Sequence, residues 1–344
     1  MFKSVLSLTL AAALGTASFG QTTLTAIPGE AAAAKYASIS QEILRAIEKG
    51  NEYLKSKQNP EGYWAQPSYP ALTALAVTAY MRDPANQGKP VPEYIRKGYD
   101  FILKSQKEDG SIFNRGMSSY NTAVCMMALL AANKEEYAPA ILKGRAYLIK
   151  QQNHFAPDNP YNGGIGYGDK QAPPIADLSN TSLALEAIYY SQKLAKDGKY
   201  GEQPDLDWNA ATEFINRCQQ NPAVNKEPWV SNDKSQLGGF VYRPGVSSAR
   251  DKKSAAFDKA EPPKAYGSMT YAGMQSLIYA NVDKNDPRVK LALKWLENSY
   301  SLDENPGMGV QGLYYYYQAM SKALSAMGID TLTLENGRKV DWRD

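Results

Sequence analysis

Histidine and cysteine are nearly absent from this chain, which has one His and two Cys among 344 residues. A zinc site needs about four ligands, mostly Cys and His at short spacings, so we expect no metal site and no cofactor. A Ser-His-Asp triad would have to use His154, which no nucleophile motif accompanies. Cys125 and Cys218 lie far apart, and we expect them to be small core residues rather than a disulfide pair.

A strong charge of one sign is also missing. Lys and Arg total 38, Asp and Glu total 35, and the formal net charge is +3 with both signs interspersed. Such a surface does not favour nucleic acid as a partner. After the first 20 residues, the chain has no apolar run long enough to span a bilayer.

The first 20 residues predict an export signal. Lys3 supplies a positive start, residues 5–14 form a short apolar run, and Ser18 and Gly20 suit a cleavage site. We therefore expect an exported protein, periplasmic or secreted, with residues 1–20 as a signal peptide and no transmembrane anchor after cleavage. Residues 21–38, rich in Thr and Ala, are predicted to be a linker.

What the chain does contain is a unit repeated five times, each copy an amphipathic helix, a Gly-rich turn and an apolar helix. A Gln precedes the turn in four copies, and Tyr300 replaces it in the fifth. In the first predicted pair, the outer helix ends at about residue 57 and the inner helix spans about 71–81. The other four predicted pairs are 92–107 with 119–132, 139–153 with 178–194, 208–220 with 268–280, and 287–300 with 311–327.

The apolar second helices predict the fold class. A helix that is apolar on every side is buried on every side, so the second helices should form an inner ring and the first helices an outer ring. This is an all-α fold, an α/α toroid, over residues 39–328, followed by a C-terminal tail, 329–344. Two inserts, 155–177 and 221–267, should lie beside the N-termini of the inner helices.

A family resemblance supports this fold. The run Gln58-Asn-Pro-Glu-Gly-Tyr-Trp64 resembles the Q-x-x-x-G-x-W repeat of squalene cyclases and the related prenyltransferase toroids, and residues 106–110 resemble a degenerate copy. The resemblance covers about residues 40–328 and implies a terpenoid cyclase/protein prenyltransferase-like toroid. A closed ring of that family usually has one hairpin more, so the ring here is expected to be incomplete.

The same resemblance argues against the family's chemistry. Squalene-type cyclases protonate an alkene with a D-x-D-D-T-A motif that opens an inner helix. Residues 118–123 read Ser-Ser-Tyr-Asn-Thr-Ala, and residues 177–182 keep Asp177 but place Ser179 where the proton donor belongs. The zinc ligands of the protein prenyltransferases are absent as well. A competent squalene cyclase or protein prenyltransferase is therefore not expected.

The N-terminal halves of the inner helices supply the candidate cavity lining. The candidates for ligand binding are Tyr120, Asn121, Asp177, Asn180, Tyr271, Tyr315 and Tyr316. Asp177 and Glu186 are the weak catalytic candidates. Asp177 could instead be the N-cap of the third inner helix, and Glu186 could be a paired structural carboxylate.

Three functions remain open at this point. The chain could be an exported protein that binds a small apolar or amphiphilic ligand in the toroid cavity. It could be an enzyme that acts on a terpenoid or other lipid through Asp177 or Glu186. It could also be a polysaccharide lyase or hydrolase, which would need a second carboxylate near Asp177. Residues 240–264 hold six basic and three acidic residues, which favours an anionic group on the ligand.

The C-terminal end raises a question of closure. Asn336-Gly337 is a turn signal, and residues 340–344 resemble the opening of another outer helix. An open ring would expose apolar flanks. We expect residues 21–45 to fold across the gap, a second copy or a protein partner to cover it, or a further repeat to be missing.

Overall fold

The computed structural model describes residues 30–168, 175–249 and 262–343, with side chains from residue 39 onward. The expected signal peptide, residues 1–20, lies outside the described residues. So do residues 250–261, which belong to the segment 240–264 with six basic residues, called the basic loop below. Within the described ranges, no helix combines the length and hydropathy that a bilayer crossing requires.

The described residues form ten α-helices in five consecutive hairpins, which confirms the all-α class. Short 3-10 turns occur at Pro84–Asn86 and Glu135–Tyr137. The helices are α1 (Glu30–Ser56), α2 (Pro70–Arg82), α3 (Glu93–Lys104), α4 (Ser118–Ala131), α5 (Ala138–Lys150), α6 (Leu178–Lys196), α7 (Trp208–Cys218), α8 (Gly267–Tyr279), α9 (Pro287–Asn298) and α10 (Leu313–Met327).

The two ends of the chain differ from the expectation. Helix α1 begins at Glu30, inside the segment 21–38 that the sequence predicts to be a linker. The predicted opening of a further helix at 340–344 is wrong, because an antiparallel hairpin forms there from β1 (Thr331–Thr333) and β2 (Lys339–Asp341). Its first strand alternates exposed, buried, exposed around Leu332, which is the period-two burial of a strand rather than that of a helix.

The five even-numbered helices, called the central helices below, pack side by side in chain order: α2 on α4, α4 on α6, α6 on α8, and α8 on α10. The odd-numbered helices cover this row, with α3 on α2, α5 on α4 and α6, and α9 on α8. Within the described residues, no comparable contact joins α2 to α10. Cys125 and Cys218 are fully buried free thiols in this core, as expected.

The row of central helices is curved. Helices α6 and α10 lie on either side of α8, and in a straight row their axes would be about 16–20 Å apart. Lys322 of α10 nevertheless places its Nζ 2.9 Å from Oε2 of Glu186 in α6. At the N-terminal ends of these helices, burial raises the pKa of Tyr315 in α10, and a side-chain hydrogen bond from Ser179 of α6 lowers it. The row therefore bends until α6 and α10 face each other.

The repeated Gln links each hairpin to the next. The Gln58 side chain donates to the carbonyl of Gly62 in its own turn, at 2.9 Å, and to the carbonyl of Tyr94 in the first turn of α3, at 2.7 Å. Because the donor also satisfies a free carbonyl of the turn, one side chain fixes both backbones. The side chains of Gln106, Gln152 and Gln219 make the same pair of hydrogen bonds, one within their own turn and one to the start of α5, α7 and α9, respectively.

The turn glycine is required by close packing. At Gly163 φ is +82°, and a Cβ would lie 1.9 Å from the carbonyl oxygen of Ala210 in α7. Gly62, Gly110 and Gly238 meet α3, α5 and α9 in the same way. Trp64 follows the first of these turns, is 4% exposed and packs on Gly98 of α3, so its side chain fills the space between two repeats.

Candidate ligand site at the N-terminal ends of the central helices

Asp177 is the N-cap of α6. Its Oδ1 accepts a hydrogen bond from the backbone N–H of Asn180, and its Oδ2 accepts one from the Asn180 side chain, both at 2.8 Å. The residue is 2% exposed, and burial raises the pKa of its carboxyl group from 3.8 to about 6 against the opposing effects of Asn180, Tyr242 and Arg243. The capping alternative is therefore correct for Asp177.

The second insert covers this cap. The backbone N–H of Leu178 donates to the carbonyl of Tyr242 at 2.8 Å, and the Tyr242 hydroxyl acts on the carboxyl group of Asp177. The hydroxyl of Tyr167, from the first insert, lies 3.4 Å from that of Tyr242. Since Tyr167 is 38% exposed, a chain of hydroxyl groups runs from the surface to the buried carboxyl group.

Tyrosines from other helices complete the site. Burial raises the pKa of Tyr315 in α10 to about 12, and this hydroxyl group interacts electrostatically with Asp177 and Tyr120 of α4. Burial also raises the pKa of Tyr266, the residue that precedes α8, and this tyrosine is coupled to both Tyr315 and Asp177. We call the five residues Tyr120, Tyr167, Tyr242, Tyr266 and Tyr315 the tyrosine cluster.

Arg243 lies next to the tyrosine cluster. Its positive charge lowers the pKa of Asp177, and its buried Nε has no hydrogen-bond partner among the described residues. The residue opens a tight turn, in which Arg243 and Val246 exchange two backbone hydrogen bonds of 3.1 and 2.9 Å. Trp229 packs against Gly245 in the same turn, at 3.4 Å from the position of a Cβ.

Two of the predicted ligand residues form hydrogen bonds at helix N-termini. Asn121 is fully buried; its Oδ1 accepts from the N–H of Ala71 at the start of α2, at 3.0 Å, and its Nδ2 donates to Met117 and Gly116. Asn180 is 2% exposed and donates to Asp177. Both side chains therefore hold helix N-termini in place.

Two of the predicted tyrosines lie in the core. Tyr271 is fully buried and Tyr316 is 1% exposed, and their ring centroids are 5.6 Å apart in the contact between α8 and α10. The Tyr316 hydroxyl donates to the carbonyl of Ser301. Of the seven predicted binding residues, only Tyr120 and Tyr315 are partly exposed beside Asp177.

Glu186 is a paired carboxylate, as its alternative assignment stated. It is 4% exposed, and its partner Lys322 is 2.9 Å away. Helix α6 places Glu186 nine positions after Asp177, which corresponds to about 13 Å along the axis. The two carboxyl groups are therefore too far apart to act on one glycosidic bond, for which about 5–10 Å is needed.

The sequence did not identify Tyr167, Tyr242 or Tyr266 as site residues, and it included Arg243 only among the six basic residues of 240–264. All four lie in the inserts or at their ends, where no periodic pattern fixes the direction of a side chain. The available signal was the richness of the first insert in Tyr, Asn and Gly. Among the residues that the structure describes, no three His, Cys, Asp or Glu side chains are grouped as a metal site would need.

No protein-family model matches this chain.

Proposed function

We propose that the five hairpins form an incomplete α/α toroid of the terpenoid cyclase/prenyltransferase type, in an exported protein that binds a small amphiphilic ligand. One observation carries the proposal: four central helices and both inserts bring the tyrosine cluster around Asp177 at one end of the row. The curvature of the row supports the toroid, and the residue pattern of the first 20 positions supports export.

The chemistry of the cluster favours a ligand with an apolar body and a polar end. Tyrosine rings offer apolar faces, and their hydroxyl groups offer hydrogen bonds at the edge. The buried Nε of Arg243 has no hydrogen-bond partner in the described ranges, and an unpaired buried donor is costly. An anionic or strongly accepting group on the ligand would satisfy it, in agreement with the anionic preference expected from the basic loop.

Binding is favoured over catalysis because the candidate acids are already engaged. Asp177 accepts hydrogen bonds at both oxygens, from the backbone and the side chain of Asn180, and Glu186 is paired with Lys322. A general acid must reach the substrate within hydrogen-bond distance, and neither carboxyl group is free to do so without breaking a structural contact.

Lipid extraction of the purified protein followed by mass spectrometry tests for a co-purified ligand. Titration with decanoate and decanol, followed by Trp fluorescence, tests the ligand class. We expect decanoate to bind more tightly than decanol. Most of the fluorescence change on binding should be lost in Trp229→Phe, because Trp229 packs on the turn that Arg243 opens. Arg243→Gln should remove the preference for decanoate, whereas Arg338→Gln in the C-terminal hairpin should retain it.

A matched pair of variants locates the site. Tyr315→Ala should weaken binding at least about tenfold, since burying an aromatic side chain contributes about 1.5–3 kcal/mol. Tyr314→Ala is the control, because Tyr314 is the neighbouring residue and is 88% exposed. Equal effects of the two variants, or no binding of either probe and no extracted lipid, would refute the proposal.

One observation favours a second candidate, an enzyme that uses Asp177 as a general acid. Burial raises the pKa of Asp177 to about 6, and perturbed pKa values are common among catalytic acids. The hydroxyl chain from Tyr167 could return the proton. In that case Asp177→Asn would abolish turnover of a bound terpenoid or other lipid and leave its binding intact.

A further inference from the structure

Helix α1 carries an apolar stripe that nothing covers in the described part of the chain. The stripe consists of Ile39, Ile43, Ala46, Gly50 and Tyr53, and we call it the α1 seam. Its members recur at alternating intervals of four and three residues, which places them on one side of a helix. All five are exposed, with Ile39 at 41%, Ile43 at 50% and Tyr53 at 62%.

The repeat shows that this side of the helix is built to be covered. In α3, the residue equivalent to Gly50 is Gly98, and a Cβ there would lie 2.6 Å from Val77 and 3.0 Å from Trp64 of the preceding hairpin. In α5, the equivalent Gly144 meets Met126 at 2.9 Å. At Gly50 no described atom lies within 4 Å, because no hairpin precedes α1 in the described residues.

We propose that the α1 seam pairs with the α1 seam of a second copy of this chain, in an antiparallel, two-fold symmetric contact centred on Ala46. In a two-fold contact, residue i meets residue j and j meets i. With the axis at Ala46, Ile39 meets Tyr53 of the second copy, and Ile43 faces its residues 49 and 50. Small residues at the centre let the two helices approach closely.

Charges beside the seam match this arrangement. Glu42 and Lys49 are exposed, lie one heptad apart and therefore share one flank of the seam. Antiparallel two-fold pairing brings the same flanks together, so Glu42 of each copy faces Lys49 of the other. A parallel pairing would instead place this flank of the two copies on opposite sides of the contact, so Glu42 and Lys49 could not meet across it.

A groove beside the seam gives the second helix room. It has a volume of about 800 Å³ and is lined by Tyr53, Leu54, Leu72, Leu75 and Ala76, together with residues 56–60, 64 and 65. Leu75 of α2 is 42% exposed. The end of the second α1 that carries Ile39 would pack against Tyr53 and extend the apolar contact onto α2.

Light scattering and sedimentation of the full chain across a concentration series test the proposal. We expect a dimer that dissociates on dilution. Ala46→Glu should raise its dissociation constant at least about 100-fold, because two carboxylates would meet on the axis. Ala46 is exposed and Glu is a good helix former, so the variant should fold, as circular dichroism can verify.

A charge exchange distinguishes this contact from any other dimer. Glu42→Lys and Lys49→Glu should each weaken the dimer by about five- to tenfold, and the double variant should restore it to within about threefold, since exposed pairs contribute up to about 1 kcal/mol each. Under mild oxidation, Ala46→Cys should form a cross-linked dimer, whereas Glu48→Cys, on the opposite side of α1, should not.

Several results would overturn the proposal. These are a monomer at all concentrations, a dimer that Ala46→Glu leaves intact, and a double charge variant weaker than either single variant. A monomer in which the thiol introduced by Ala46→Cys is unreactive would mean that another segment of the same chain covers the α1 seam.

Discussion

Asp177→Asn should make the free energy of unfolding less sensitive to a rise in pH from 4 to 8. The carboxyl group is 2% exposed, and burial raises its pKa from 3.8 to about 6. A group whose pKa is higher in the folded than in the unfolded state stabilises the fold while protonated. That stabilisation is complete below about pH 4 and is lost as the pH rises through 6.

The expected size follows from the pKa values. Each unit of pKa difference corresponds to about 1.4 kcal/mol, so Asp177 should lower the free energy of unfolding by about 3 kcal/mol between pH 4 and pH 8. Asparagine is neutral at every pH and is a good N-cap. The variant should therefore gain about 3 kcal/mol relative to the original protein over the same range.

Urea unfolding followed by circular dichroism, repeated from pH 4 to pH 8, measures this difference. Only the difference between the two proteins is compared, because other acidic residues contribute equally to both. Asp207→Asn is the control, since Asp207 caps α7 at an exposed position. A difference that stays constant, or one that favours Asp177 more strongly as the pH rises, would show that the carboxylate is stabilised in its charged form.

Two further changes test the packing. Gly163→Ala should destabilise the protein by several kcal/mol more than Gly337→Ala in thermal or urea unfolding: both residues have positive φ, but only at Gly163 would the new Cβ meet backbone, 1.9 Å from Ala210. Lys322→Met should lower the free energy of unfolding by about 3–5 kcal/mol, because it leaves the charge of Glu186 buried without its partner. The double variant with Glu186→Leu should recover most of that loss. Equal losses in the single and the double variant would contradict this.

The helices could be predicted from the sequence because local patterns determine them. The apolar run after Thr122 marks α4, and Asp207 before Trp208 marks the start of α7, where its side chain accepts from Ala210. The repeat then aligned the weaker copies with the stronger ones. The start of α1 at Glu30 lies inside the predicted linker, because the first turns of this helix are Ala-rich and lack the apolar spacing that marks the others.

The candidate site was harder to predict because its residues are joined by tertiary contacts. Asn121 and Tyr120 are adjacent in the sequence, yet Asn121 caps α2 from the next hairpin while Tyr120 lies beside Tyr315. Sequence periodicity places both near the start of α4 and cannot separate their roles. Tyr242 reaches Asp177 only because the second insert folds back over α6, and no local pattern encodes that return.

The C-terminal β-hairpin packs against the last pair of helices, at one end of the row. Leu332 is fully buried, the N–H of Thr333 donates to Glu297 of α9, and the Trp342 side chain donates to the carbonyl of Ile329. Two residues of the hairpin, Arg338 and Asp341, act on the pKa of Tyr300, which stands where the other units have Gln. The linking Gln is thus replaced where a hairpin, rather than another helix, follows.

The two ends of the row therefore differ, and this difference bears on how copies could associate. Repeat proteins need a polar terminal surface to remain soluble, and the exposed side of α10 carries the polar residues Gln318 and Ser325 beside Tyr314. The α1 end exposes Ile43 and Leu75 instead. A head-to-tail contact would have to set a closed end against an open one and could continue without limit. A two-fold contact between open ends covers both at once and stops at two copies, which is why it is the arrangement that the surfaces favour.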